Sequence, residues 1–242
     1  MDVKPYEETG SKKTQVSKMF NNIAKYYDLL NRVLSLGIDK LWRKRMIKEI
    51  GKRNPKLILD VATGTADVAI ATARKLEPQH VTGVDISTEM LAVGRQKVAK
   101  KGLTDVIRLD EGDSENLLYE TDTYDAITVA FGVRNYENLH KGMKEMRRVL
   151  RPGGQLAVLE FSRPTLFPFK QLFNGYFKYI LPQIGRLTSG DSRAYSYLYE
   201  SVQAFPDGER FLEVMRQTGY NNCKCIPLTL GICSLYLGDK AS

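Results

Sequence analysis

Leu57, Ile58 and Leu59 form a short apolar run without alternation, the pattern of a parallel strand covered on both faces. The run ends at Asp60, and the chain then turns through Ala62, Thr63, Gly64, Thr65 and Ala66, all of them small. From 66 to 76, Val68, Ala69, Ile70, Ala71, Ala73 and Leu76 give a helix with a wide apolar face. Further patterns follow: a strand over 81–85, a helix over 88–101, strands over 105–109 and 124–129, and a helix over 137–149. The Pro152-Gly153 turn then feeds a strand over 155–161. This succession predicts an α/β fold with a mainly parallel, doubly wound sheet. Ahead of it, 16–27 and 40–50 read as helices, with a break near Ser35-Leu36-Gly37. Behind it come an aromatic-rich insertion over 164–205, read as helical, and a helix over 207–217. Two terminal strands, 221–227 and 230–237, are expected to form an antiparallel edge.

In open α/β sheets, ligands lie beyond the carboxyl ends of the strands. Four polar or small turns, 62–66, 85–87, 111–114 and 130–135, fall at such ends. Gly64 can take positive φ, or let a ligand press against the main chain, at low steric cost. A turn built for a dinucleotide pyrophosphate needs three glycines. This one has a single glycine, so a smaller nucleoside-bearing ligand such as S-adenosylmethionine fits it better. Asp85, about 20 residues on, stands where such folds place a ribose-binding acid. The alternative is that Gly64 only turns the chain and Asp85 only caps the helix that starts at Ser87.

Charge widens the choice of partner. The 242 residues carry 36 Lys plus Arg against 28 Asp plus Glu, a net charge of +8 that favours nucleic acid, an acidic ligand or an anionic membrane surface. The basic residues cluster at Lys12-Lys13, over 40–56 and over 97–101, on predicted helices, where solvated faces account for most of them. The aromatic residues sit in apolar runs without a basic groove, which argues against nucleic-acid binding. A non-catalytic cofactor-binding protein is a further alternative, separated from an enzyme by turnover. Cys223, Cys225 and Cys233 lack metal-like spacing and a His partner, so no metal is expected. Their odd number, the absence of a leader-like N-terminus and the lack of any apolar stretch approaching about 18–20 residues predict a cytoplasmic protein with reduced thiols. His80 and His140 fall away from the strand ends and are expected at the surface.

Several stretches carry a specific resemblance. Tyr27-Asp28-Leu29-Leu30-Asn31 with Leu34-Ser35 and Trp42 forms one signature, and Arg148 to Gly154 with Glu160-Phe161-Ser162 a second. Phe131 to Asn135, Leu181 to Gly185, Asp191, Ala194 to Leu198, Glu200-Ser201 and Phe205-Pro206 extend the match from about Val16 to Lys240. On these residues the chain resembles the UbiE/MenG family of quinone C-methyltransferases, which are class I S-adenosylmethionine-dependent enzymes with a Rossmann-like fold. The resemblance implies one methyltransferase domain over 1–242, with a flexible arm over 1–15, a helical lid over 16–52 and the 164–205 insertion covering the substrate site. It implies cofactor contacts from Thr65, Asp85, Asp113 and Ser114. The implied reaction is C-methylation of demethylmenaquinol to menaquinol, the last step of menaquinone biosynthesis. The alternative acceptor is a 2-methoxy-6-polyprenyl-1,4-benzoquinol of ubiquinone biosynthesis.

Such a ring becomes nucleophilic at carbon once a phenolic proton is lost, so a base or a strong acceptor is needed near that hydroxyl. Arg134 is the candidate to stabilise the developing phenolate, and Asp191 or Tyr195 to take the proton. Asn135, Arg193 and Tyr197 fall at the same mouth. The structural reading of these residues is that Arg134 pairs with Asp191 while the tyrosines pack the insertion. Two positions depart from the family: Asp39 stands where His is usual, and Ala130 where Ser is frequent. The aromatic residues of 16–42 and of the insertion suit a prenyl tail, with Lys170 and Lys178 placed to touch anionic lipid head groups in peripheral membrane contact.

Overall fold

Alternating strand and helix patterns build one seven-stranded sheet. The computed structural model of the protein describes residues 3–6, 9–35, 37–165, 167–175 and 192–242. The strands are β1 (Leu57–Val61), β2 (His80–Asp85), β3 (Ile107–Glu111), β4 (Tyr124–Ala130), β5 (Leu150–Phe161), β6 (Asn221–Leu228) and β7 (Cys233–Asp239). Across the sheet their order is β3-β2-β1-β4-β5-β7-β6. β1 to β5 run parallel, and β7 lies antiparallel to both β5 and β6, as the two terminal strands predicted. The order reverses between β1 and β4, which opens the crevice where such sheets bind ligands.

Successive side chains of each strand face opposite sides, so the sheet carries two cores. Leu59 and Val61 of β1 join one of them. It is covered by Met143, Met146 and Val149 of α6 (Leu139–Val149) and by Phe211, Leu212 and Met215 of α9 (Glu209–Gln217). Ile58 joins the other, packed beneath α3 (Asp39–Gly51), α4 (Asp67–Leu76) and α5 (Thr88–Lys100) through Met46, Ile50, Ala69, Leu91 and Val98. A third, smaller cluster sits above the strand ends. There Val16, Met19 and Ile23 of α1 (Lys12–Ile23) meet Met90, Phe173 of α7 (Phe169–Gly175), and Ala194 and Tyr197 of α8 (Ser192–Ala204). The only tryptophan of the chain, Trp42, is buried in α3 between Phe131 and Phe161, 6.2 Å from each ring centre. Its indole N–H donates to Thr229 at 2.7 Å.

The N-terminal segment departs from expectation. Instead of a flexible arm over 1–15, the chain is helical from Lys12, because the Ser11 hydroxyl accepts the Thr14 amide and caps the first turn. The single helix expected over 16–27 is two, α1 and α2 (Tyr27–Leu34), with a turn at 24–26. The final strand begins at Cys233, since Thr229, Leu230 and Gly231 all take left-handed φ and turn the chain back. Of the insertion over 164–205, α7 and α8 are helical as expected, and 176–191 falls outside the described residues.

Asp60 closes β1 as a buried acid. Its two oxygens accept the Thr63 hydroxyl at 2.6 Å and the Thr128 hydroxyl at 2.7 Å, which pins β1, β4 and the following loop together. Burial pushes its pKa up to about 6, against the opposing hydroxyl hydrogen bonds. Below the ordinary carboxylate range both folded and unfolded chains hold this proton. Between that range and about pH 6 only the folded chain does, so this stabilising contribution is lost as pH rises through the window. Urea unfolding of wild type and Asp60→Asn should therefore give a stability difference that moves by roughly 2 kcal/mol in favour of Asp60→Asn between about pH 4 and 7. A difference constant across that range would refute the shift.

Candidate active site

The loop after β1 holds an unusual backbone path. Ala62, Gly64 and Ala66 all adopt left-handed φ, at 53°, 56° and 64°. For alanine this costs about 1–2 kcal/mol per residue, so the path must be enforced from outside. The Thr63 amide donates to the Val84 carbonyl at 3.0 Å, and the Gly64 amide donates to Asp85 Oδ2 at 2.8 Å. Close approach also demands a glycine on the neighbouring strand. A Cβ at Gly83 would lie 2.8 Å from the Thr63 hydroxyl oxygen and 2.6 Å from Leu109.

Asp85 ends β2. Its Oδ1 accepts the Ser87 amide at 2.9 Å while Oδ2 accepts from Gly64, and burial raises its pKa. Asp85 is not the cap of α5: the Ser87 hydroxyl takes that role, accepting the Met90 amide at 3.3 Å. Each Asp85 oxygen therefore keeps acceptor capacity for a ligand hydroxyl. On the next loop, Asp113 Oδ1 accepts the Glu115 amide at 2.9 Å and Oδ2 accepts Lys13 Nζ of α1 at 2.6 Å. Ser114 lies beside Tyr136, whose phenol is pushed upward by burial.

The β4 loop folds into a single 3-10 turn, Val133–Asn135. Arg134 points beneath it, 7% exposed, with Nη1 donating to Glu160 Oε1 at 2.7 Å and to the Phe131 carbonyl at 2.5 Å. Glu160 is wholly buried in β5, and burial raises its pKa against the pull of the guanidinium. Arg134 Nε has no hydrogen-bond partner. Asn135 donates from Nδ2 to the Phe131 carbonyl at 3.4 Å, and its Oδ1 is likewise unpartnered.

These loops surround an open cleft of about 700 Å³. Gly64, Asp85, Asp113 and Ser114 line one part of it, and Phe131, Asn135 and Tyr136 another. Lys13, Val16 and Phe20 of α1, with Tyr27 of α2, close it from above. The cleft thus brings three of the four expected cofactor residues together, Asp85, Asp113 and Ser114. Thr65 is elsewhere: it is buried, and its hydroxyl donates to Asp28 Oδ1 at 2.5 Å. Among the expected catalytic residues, Arg134 lies under the wall and is paired with Glu160. Asp191 and the side chain of Tyr195 fall outside the described residues. Tyr197 is buried with an unpartnered hydroxyl, and Arg193 pairs with Glu200 at 2.9 Å. His140 is exposed and His80 half-buried.

Sequence reasoning left two contributors out of the site. Lys13 stood in a charge run assigned to a solvated face, yet it lines the cleft. Asp28 belongs to the first signature and carries no expected role, yet it anchors α2 to the loop after β1. Lys97 donates to Asp28 at 2.6 Å, to Thr65 at 3.1 Å and to Asp67, and Arg43 links Asp67 at 2.7 Å to Asp39 at 3.3 Å. Asp39 serves as an acceptor for Arg43 and the Ser35 hydroxyl.

A doubly wound sheet with a single-glycine loop and an acid-bearing cleft at its switch point defines the class I, S-adenosylmethionine-dependent methyltransferases. In fold the chain is similar to a Methanococcus maripaludis protein (TM-score 0.66, 17% identity, 98% of this chain and 97% of that one). It is also similar to phosphoethanolamine N-methyltransferase 2 of Haemonchus contortus, solved with S-adenosyl-L-methionine (TM-score 0.59, 15% identity, 82% and 53%). The chain belongs to the ubiE/COQ5 methyltransferase family, whose model matches residues 8–240. Its relatives include a demethylmenaquinone methyltransferase of Bacteroides fragilis, 47% identical over 98% of this chain and 97% of that protein. Another is the ubiquinone/menaquinone biosynthesis C-methyltransferase UbiE of Geotalea daltonii, 44% identical over 96% and 98%.

The Arg134–Glu160 pair sets a test of the site's framework. Removing one partner of a buried pair strands the other charge, so Glu160→Ala should cost about 3–5 kcal/mol in urea unfolding. Replacing both partners, Arg134→Met with Glu160→Leu, should recover a large part of that loss. A single variant as stable as wild type would show that the pair contributes no framework.

Proposed function

We propose that this protein transfers a methyl group from S-adenosylmethionine to a ring carbon of a reduced, prenylated quinol, converting demethylmenaquinol to menaquinol. The observation that carries this reading is the cleft itself, where two acids and a glycine loop share one space with the aromatic rings of Phe20, Tyr27, Phe131 and Tyr136. The near full-length similarity to the Bacteroides fragilis demethylmenaquinone methyltransferase supports the naphthoquinol as acceptor.

When bound, S-adenosylmethionine supplies a methyl group already activated on its sulfonium. The lone pairs left on Asp85 suit the two ribose hydroxyls, Asp113 suits the adenine amino group, and the Ser114 amide suits a ring nitrogen. Because the Thr65 hydroxyl is taken by Asp28, only its backbone remains to meet the amino-acid end. The remaining work is alignment and exclusion of water. α1 and α2 cover the cleft as a lid through Lys13, Val16, Phe20 and Tyr27. Asn135 lines the cleft and its buried Oδ1 is unpartnered, which suits it to accept a hydrogen bond from the quinol hydroxyl. Arg134, just behind, supplies the positive field for a developing phenolate.

A quinol with a prenyl tail resides in lipid, which favours peripheral contact of the protein with an anionic membrane surface. Among the described residues, no helix is long and apolar enough to cross a membrane. Leu41, Phe167 and Leu230 are exposed, and two contacts bring their segments together. The Trp42–Thr229 bond sets the Leu230 turn beside α3, while Gly231 approaches Pro164. Lys40 and Lys44 are exposed on the same helix as Leu41 and within one turn of it.

Incubation with methyl-labelled cofactor and chemically reduced demethylmenaquinone should give labelled menaquinol, with a benzoquinol analogue tested in parallel. Label in neither quinol, despite cofactor binding, would sink the reading. Asp85→Ala should weaken cofactor binding by at least about 100-fold while leaving the circular dichroism spectrum intact, given the loss of two charge-assisted hydrogen bonds. Wild-type affinity in that variant would exclude the ribose role. Vesicles containing phosphatidylglycerol should retain the protein at low salt and release it at high salt, and Leu41→Ser with Leu230→Ser should weaken retention. Indifference to lipid charge and to both substitutions would exclude the membrane contact.

A further inference from the structure

One lysine of the N-terminal helix is buried away from the cleft, and its bonds converge on the turn that forms the cleft's wall. Lys12 is 2% exposed. A buried ammonium is costly unless acceptors surround it. Lys12 Nζ donates to the carbonyls of Arg134 and Tyr136, each at 3.1 Å. Those carbonyls sit at the end of the 3-10 turn Val133–Asn135, where a helical turn leaves its oxygens without internal partners and concentrates partial negative charge. The attachment is made twice more. The Lys12 amide donates to Glu137 Oε1 at 2.9 Å, and Glu115 Oε1 accepts the amides of Glu137 and Asn138 at 2.8 and 3.2 Å. Glu115 in turn faces Lys13 at 3.6 Å. Two residues at the start of α1 thus fasten a turn 122 positions further along the chain.

We propose that Lys12 is a positioning residue for methyl transfer: its ammonium clasps the two carbonyls and so fixes the turn that presents Asn135 to the cleft and Arg134 beneath it. Lys12 does not line the cleft, so its effect runs through the turn and not through contact with either substrate. The inference rests on the reading that this turn borders the quinol. Without the ammonium, the carbonyls of Arg134 and Tyr136 lose these hydrogen bonds in a buried place, and the turn must shift to find others. A displacement of about 1 Å at a reacting centre is enough to cost a factor of about 100 in rate.

Two readouts on Lys12→Met and Lys12→Arg decide the matter. In the protein without cofactor, amide hydrogen exchange over residues 131–136 should quicken at least tenfold in Lys12→Met, with β1 and β2 unchanged. In turnover, kcat should fall at least about tenfold while the KM for S-adenosylmethionine stays within about twofold. Lys12→Arg, which keeps charge and donors, should recover most of both effects. Wild-type exchange in the turn overturns the clasp, and so does quickening spread evenly through the sheet. A quickened turn with unchanged kcat overturns the positioning role. If wild type methylates neither quinol, the substrate reading fails, and with it the role in methyl transfer; the exchange rates then still decide whether the clasp exists.

Discussion

Asp85 accepts one amide hydrogen on each oxygen, from Gly64 at 2.8 Å and from Ser87 at 2.9 Å, and the geometry of the cleft follows from those two bonds. The first holds the small-residue loop in a path that alanines at 62 and 66 would not choose. The second fixes the start of α5. Because both donors are backbone amides, a change of side chain elsewhere in either loop leaves them in place. The carboxylate is thereby oriented before any ligand arrives, the condition under which a charged acceptor binds with least reorganisation. Gly83 completes the arrangement from below by letting Thr63 approach the neighbouring strand.

The upper wall is held by charge instead. Lys97 and Arg43 join Asp28, Asp67 and Asp39 into one network that ties α2 and α3 to α4 and α5. Lys12 and Lys13 do the same at the other end of α1, against the loops that carry Asp113 and Arg134. Half-buried ion pairs are screened less than surface ones and are more directional than apolar contacts. They suit a cover that must sit in one register over a cleft while the small cluster around Met19, Met90 and Tyr197 supplies the packing.

The sheet was readable from sequence because local patterns dictate it. The unalternating run at Leu57 to Leu59 is a doubly covered strand, and the four turns at strand ends locate the crevice. Asp85, Asp113 and Ser114 converge because each closes or follows a strand whose place in the order is set by alternation. What could not be read is pairing between distant parts. Glu160 partners Arg134, since adjacent strands bring residues 26 positions apart to one point. Thr65 turns to Asp28 across 37 positions, and no spacing rule announces that. Lys12 looked like half of a solvated Lys-Lys pair. Its burial depends on carbonyls exposed by a turn far along the chain, and sequence periodicity carries no record of them.

Trp42 has a consequence of its own. Its indole is sealed from water against Phe131 and Phe161 and tethered to Thr229, so one chromophore on α3 touches the cleft wall, β5 and the turn before β7. Phe131 also lines the cleft. With no second tryptophan to dilute it, the emission of this protein comes from that junction alone. The molecule carries its own optical probe at the seam between α3 and the sheet, where a ligand pressing on Phe131 alters the polarity around the indole.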